Sequence, residues 1–207
     1  MLNTTQKGFT LVEIAIVLVI VGLLIGGVLK GQEMVTNAKL KRIESDKAGI
    51  AAAMFSYQDR YLQLPGDDNA AADRFNVTPA VTNGNGDGII GVGNDWAAGL
   101  ETAYFWSHLR ASGLVAGAAS AATRPTNAFG GEVGVQDGFN TVAGHVVVFG
   151  QIEGPIARIL EARLDDGVAD TGRLQAETLT RTAGISVAAS TTVPYVDTVR
   201  YNLGFRL

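Results

Sequence analysis

Residues 7–29 read KGFTLVEIAIVLVIVGLLIGGVL, and their reading decides how the rest of the chain is understood. From Phe9 to Leu29 there is one charged residue, Glu13. As a helix rising about 1.5 Å per residue, this run extends roughly 30 Å, the thickness of a bilayer's hydrocarbon core. Gly22, Gly26 and Gly27 lower helix propensity in water, but lipid tolerates them because the backbone bonds are satisfied internally. Two plain readings fit poorly. A secretory signal has an apolar core of about 7–15 residues and a small-residue cleavage site, and no A-x-A pattern occurs before Lys30. A simple anchor leaves Glu13 unexplained, since a carboxylate costs about 2.5–3.5 kcal/mol at mid-membrane and less near an interface. Such a residue needs a partner, and the apolar run contains no cation.

The sequence Lys7-Gly8-Phe9-Thr10-Leu11-Val12-Glu13, followed by the apolar run, resembles the prepilin signal of type IV pilins and type II secretion pseudopilins. The resemblance implies cleavage by a membrane prepilin peptidase between Gly8 and Phe9, followed by N-methylation of Phe9. It places Glu13 at the mature fifth position. Cleavage would create a positive amine on Phe9. That amine and the Glu13 carboxylate are costly apart in hydrocarbon but neutralise one another across two subunits, fixing an axial register. A glutamate snorkelling at the membrane surface is the plainer alternative. The resemblance also implies a cytoplasmic N-terminus before cleavage, a periplasmic head and a Gram-negative inner membrane. Charge counting does not support that orientation, because Lys30, Lys39, Lys41, Arg42 and Lys47 all follow the span.

Beyond Leu29 the pattern predicts that the helix continues to about Tyr61. Val35, Ala38, Ile43, Ile50, Met54, Tyr57 and Tyr61 fall on one stripe. Gly31 and Gly49 are its weak points, and Pro65-Gly66 followed by Asp67-Asp68-Asn69 is its stop. The expected organisation is a leader at 1–8, a transmembrane and filament-core helix at 9–29, an amphipathic continuation at 30–62 and a globular head at 63–207. The expected fold class is α+β, pilin-like, with an antiparallel sheet laid on the second half of the long helix. Within the head, Leu100–Leu114 and Ile156–Leu164 have helical spacing. Strands are expected at His145–Gln151, around Ile185–Ala189 and at the C-terminus. There Val199, Tyr201, Leu203, Phe205 and Leu207 alternate with Arg200, Asn202, Gly204 and Arg206, so one face should be buried and the other wet. Residues 113–144, rich in small residues, read as a surface excursion.

Asn83-Gly84-Asn85-Gly86-Asp87-Gly88 places oxygens at positions one, three and five and a glycine at six, as at the start of a calcium loop. Position twelve is Asn94 where a bidentate glutamate is usual, so only Asp87, with Asp95 just beyond, supplies charge. A calcium (Ca2+) site at Asn83, Asn85, Asp87 and Asp95 therefore competes with a glycine-rich turn of self-bonding asparagines. Gly86-x-Gly88-x-x-Gly91 has the form of a dinucleotide fingerprint, but it lacks a preceding buried strand and puts Asp87 where pyrophosphate would approach. Asp165-Asp166-Gly167, with Asp170, reads first as the turn after a helix, and second as a cation site or paired-carboxylate acid/base. His108 and His145 have no recognisable catalytic partners and read as structural. Tyr104, Phe105 and Trp106 read as core.

The head resembles pilin-like prepilins of Gram-negative bacteria in Tyr61–Asp67, Asn83–Ile90, Phe105–Leu114 and Leu164–Gly167. The chain has no cysteine, and so lacks the pair that closes the C-terminal loop of many major pilins. This favours a minor pilin or pseudopilin, and it excludes disulfides and thiolate metal sites. Charged residues are 17% of the chain, hydrophobic ones 47%, with 26 glycines, which argues against a disordered tail or a coiled coil. The net charge of −4 disfavours direct nucleic-acid binding. All lysines lie at or before Lys47, leaving a basic stem and an acidic head. Complementarity between subunits and contact of the stem with lipid headgroups both account for this.

The function expected is thus a non-enzymatic filament subunit. Its partners would be prepilin peptidase/methylase, other pilin or pseudopilin subunits, an inner-membrane assembly platform and the lipid bilayer. A membrane-anchored periplasmic binding protein outside any filament is the alternative, and a tethered hydrolase is a remote one.

Overall fold

A computed structural model describes residues 8–91, 101–178 and 195–207. The chain divides into two compact units, Met1–Lys41 and Arg42–Leu207. Helix α1 runs unbroken from Leu11 to Tyr61, through Gly31 and Gly49. A Cβ at any of its glycines would meet nothing, so each can cost only its helix propensity, about 1 kcal/mol. Leu62, in the left-handed region at φ 55°, ends the helix three residues ahead of Pro65. In the first unit the apolar side chains from Phe9 to Leu29 are all exposed.

The second unit contains the rest of α1, then α2 (Ala71–Phe75), α3 (Glu101–Ala111), β1 (Val133–Phe139), β2 (Val142–Glu153), α4 (Gly154–Leu164), β3 (Leu174–Thr178) and β4 (Arg200–Arg206). The strands form one antiparallel sheet in the order β1-β2-β4-β3. The fold is α+β, with a long N-terminal helix and a C-terminal antiparallel sheet. Of the α1 stripe, Ile43, Ile50, Met54 and Tyr57 are buried. Lys47 lies over the Phe205 ring at 5.4 Å, on the sheet face where Phe149 and Phe205 meet edge-to-face.

Two expectations are corrected. β4 does not have a wet face: Asn202 and Gly204 are as buried as Tyr201, Leu203 and Phe205. The reason is its central position and the β1–β2 hairpin, which curls over its second face. There Phe139, Val142, Val146 and Val148 cluster. A Cβ on Gly204 would overlap the Phe139 ring. The hairpin tip is tied to β3 by Asn140 Nδ2 donating to the Ala176 carbonyl (3.1 Å) and by paired bonds between Thr141 and Gln175 (3.1 and 2.7 Å). The same hairpin overturns the surface excursion, since residues 133–139 of that stretch are a strand with a mostly buried pattern. The C-terminal strand and the one around His145–Gln151 are present, the latter extended to Val142–Glu153. The strand expected around Ile185–Ala189 lies outside the described residues.

Candidate functional site

Gly8 and Phe9 are exposed and precede the helix. Thr10 then starts α1 with a reciprocal pair of bonds: Thr10 Oγ1 accepts from the Glu13 amide (3.2 Å), and Glu13 Oε2 accepts from the Thr10 amide (2.7 Å) and hydroxyl (2.9 Å). This is a capping box, which satisfies two otherwise orphaned amides at a helix start. Sequence reasoning assigned Glu13 to assembly and missed the T-x-x-E signature that gives it a local partner. α1 contains a stretch long and apolar enough to cross a membrane, by length and composition.

In the head, the loop after Pro65 is organised around two buried carboxylates. Asp68 accepts from Tyr57 Oη (2.6 Å) and the Ala70 amide (2.9 Å) and pairs with Arg74. Asp67 reaches into the glycine-rich loop, where Oδ1 accepts from the Gly86 and Asp87 amides (2.7 and 3.0 Å) and Oδ2 from Gly88 (2.8 Å). Glu101 accepts from the Asn85 amide at 2.9 Å and the Gly91 amide at 3.3 Å. The loop therefore turns backbone donors toward an anion, as concave runs of amides do.

The residues expected to bind calcium are placed as follows. Asn83 Oδ1 accepts from the Ala72 amide (2.7 Å), and Asn85 Oδ1 from the Asp87 amide (2.8 Å). Asp87 Oδ1 accepts from Ile89 (2.9 Å), and Asp95 lies outside the described residues. Asp87 carries an oxygen within 4.8 Å of oxygens of Asp67 and Glu101, neither of which the loop motif had pointed to. Asp67 was legible only as turn chemistry, because its loop partners lie some twenty residues ahead.

His108 is wholly buried with both nitrogens used: Nδ1 accepts from the Gly66 amide (2.9 Å) and Nε2 donates to the Thr82 carbonyl (2.7 Å). Burial holds its pKa below the ordinary imidazole range, so it is a neutral tie between loop and helix with no free nitrogen for base chemistry. His145 faces Asp137 across the sheet, with Nδ1 2.7 Å from Oδ1 but outside hydrogen-bond geometry. It also lines a polar groove of about 400 Å³ with Gln58, Asp67 and Asp87.

A second carboxylate group ends α4. Asp165 follows the last helical residue, and its Oδ2 accepts from the Arg173 and Leu174 amides (2.6 and 2.7 Å). Asp166 accepts from the Val168 amide (2.9 Å) and the Thr171 hydroxyl (2.7 Å). The expected turn is thus present. Glu161, one helical turn back and fully buried, was not anticipated; Oε2 accepts from Tyr195 Oη at 2.8 Å. Burial pushes its carboxyl up to about 7 against that bond, and the neighbouring Asp165 and Asp166 push it the same way.

Residues 3–29 match the family model of the prokaryotic N-terminal methylation motif. Among solved structures, the chain is similar to that of the major type IV pilin PilA1 from Clostridium difficile. The two are 14% identical over 82% of this chain and 95% of that chain, with a TM-score of 0.37. No curated protein matches the chain. The matched motif opens the long helix α1, and the chain beyond that helix contains the antiparallel sheet β1-β2-β4-β3.

Proposed function

We propose that the chain is a structural subunit, a minor pilin or pseudopilin, of a type IV pilus or type II secretion filament. The observation that carries this reading is the methylation motif at 3–29 at the head of a helix whose apolar side chains up to Leu29 are all exposed. Each such side chain gains about 1.5–3 kcal/mol when it leaves water, so the helix needs lipid or neighbouring helices around it. The precursor inserts through residues 9–29, with its head in the periplasm, and is cut between Gly8 and Phe9 by prepilin peptidase. Phe9 is methylated, and an inner-membrane platform moves the subunit into the filament. Residues 1–8 are the leader, 30–62 the stem and 63–207 the head. In the filament, the carboxylate of Glu13 leaves or shares its capping box to face the Phe9 amine of a neighbour.

The test separates cap from charge. Glu13→Gln keeps an acceptor for the Thr10 amide but loses the negative charge; Glu13→Ala loses both. Both variants should insert and be cleaved, and both should be depleted from purified filaments at least tenfold by quantitative mass spectrometry. Normal incorporation of Glu13→Gln would remove the charge pairing and leave only the cap. For the reading as a whole, wild-type filaments should yield a peptide beginning at methylated Phe9. An uncut monomer in the membrane would instead favour an anchored periplasmic binding protein.

A further inference from the structure

We propose that the groove between the end of α1 and the glycine-rich loop receives the Lys41 side chain of a second copy of this chain. The proposal rests on the filament reading, since it requires copies to be neighbours. Its first support is charge. The groove, of about 400 Å³, is lined by the carboxylates of Asp67 and Asp87, by Gln58 and His145, and by no lysine or arginine. Asp67 is saturated by three loop amides. Asp87 is exposed and accepts from neutral donors, the Ile89 amide and Asn85 Nδ2 (2.9 and 3.0 Å), and makes no ion pair among the described residues. The second support is Leu62, on the rim of the same groove. It stands at φ 55°, where glycine or asparagine is less strained, and its side chain is 84% exposed. An exposed leucine in that conformation gains its own chain little. Beside a carboxylate it suits a lysine, whose apolar stem lies along a hydrophobic surface while its ammonium reaches an anion. A bare metal ion would leave Leu62 unused.

The stem of the same sequence holds the complement. No lysine follows Lys47, so the ammonium groups of a neighbouring copy all belong to its N-terminal region. Of the stem cations, Lys30 pairs with Glu33 (2.8 Å), Arg42 reaches Asp46 (3.7 Å), Lys47 lies over the Phe205 ring and Lys39 has a contact of its own. Lys41 is exposed and makes no ion pair among the described residues. About 25 Å of helix separates Lys41 from Gln58 at 1.5 Å per residue, further than a lysine reaches, so the ammonium must come from another copy. An exposed ion pair is weak by itself. Partly sheltered in a groove, and repeated at each contact between copies, it adds to the attraction and fixes register.

A carbodiimide, which joins an amine to a carboxylate with loss of water and no spacer, tests the contact on purified wild-type filaments. The expected product is a dimer of the chain whose digest contains Lys41 joined to Asp87 by mass spectrometry. Asp87→Asn should lose that product, and the exchange of Lys41→Asp with Asp87→Lys should restore at least half of the dimer. Leu62→Gly, which relieves the backbone, should unfold no earlier than wild type yet lower the dimer yield at least twofold. If the exchanged chain does not fold, the wild-type product and Leu62→Gly decide. Filaments that carry methylated Phe9 but give no Lys41–Asp87 product overturn this contact and leave the proposed function standing, whereas an uncut monomer overturns both. A folded exchange variant without dimer, or Leu62→Gly at full yield, also overturns the contact.

Discussion

Above its ordinary pKa near 6.5, His108 sits neutral between the Gly66 amide and the Thr82 carbonyl, stacked on Tyr57 at 6.2 Å. Protonation would put a second N–H against the Gly66 amide and a charge in a buried place. The folded pKa therefore lies below the unfolded one, and below about pH 6.5 the unfolded chain binds more protons. Stability should be constant through this group above pH 6.5 and fall as pH drops from there toward the folded value, by at most about 1.4 kcal/mol per pH unit. Thermal unfolding between pH 7 and 5 checks this as the difference between wild type and His108→Gln: Glu161, its carboxyl raised to about 7, adds the same opposite slope to both, so the variant, although its own midpoint is lower, should gain on wild type as pH falls. Equal slopes in both proteins would mean that His108 contributes none of the pH dependence. His108 was readable as structural because it stands in an aromatic helical segment, Tyr104–Leu109. What it ties was not readable, since Gly66 and Thr82 approach it only after the chain has turned at Pro65-Gly66. Asp67 was hidden for the same reason, and Glu161 because a single acid in the spacing Ile156, Ile159, Leu160 and Leu164 looks like an outward-facing residue.

Among elements, α1 was legible almost to the residue because its signals are local: the apolar run, the stripe and the stop at Pro65-Gly66. Strand β4 shows where such signals end. Alternation of Tyr201, Leu203 and Phe205 with Arg200, Asn202, Gly204 and Arg206 correctly marked a strand, but period two cannot report whether a second layer covers the other face. The covering layer is β1, whose Val133-Gly134-Val135-Gln136-Asp137-Gly138-Phe139 is too rich in glycine to read as a buried strand. Gly204 is the joint between the two, because only a missing side chain lets the Phe139 ring lie on β4. Gly204→Leu should therefore destabilise the head by about 1–3 kcal/mol through overpacking. Phe139→Ala alone should cost about 3–5 kcal/mol as a cavity. Their combination should cost clearly less than the sum, since leucine can occupy part of the vacated space; denaturant unfolding of the four proteins measures the coupling. Strict additivity would mean that the two side chains do not compete for one space.

At the scale of the whole molecule, the chemistry expected of the N-terminus and the stability of the head fall in different units of the chain. Residues 9–29 expose their apolar side chains, whereas the buried core of the second unit is built from Ile43 onward and includes Met54, Tyr57, Trp106, Phe149 and Phe205. A substitution at the processing junction therefore has nothing in that core to disturb. Gly8→Glu puts a charged side chain at the proposed cleavage position, where the native residue is exposed and a Cβ would meet no atom of the chain. It should leave the thermal midpoint of the head within about 1 °C of wild type, as expected for surface changes of no more than about 0.5 kcal/mol. In cells it should leave the precursor uncut, seen by intact mass as a chain that keeps residues 1–8, and absent from filaments. Gly204→Leu should do the reverse: a lower midpoint, with cleavage between Gly8 and Phe9 intact. If Gly8→Glu lowered the midpoint by several degrees, the two units would be energetically coupled, and loss of filament entry in any N-terminal variant could no longer be assigned to processing or to Glu13.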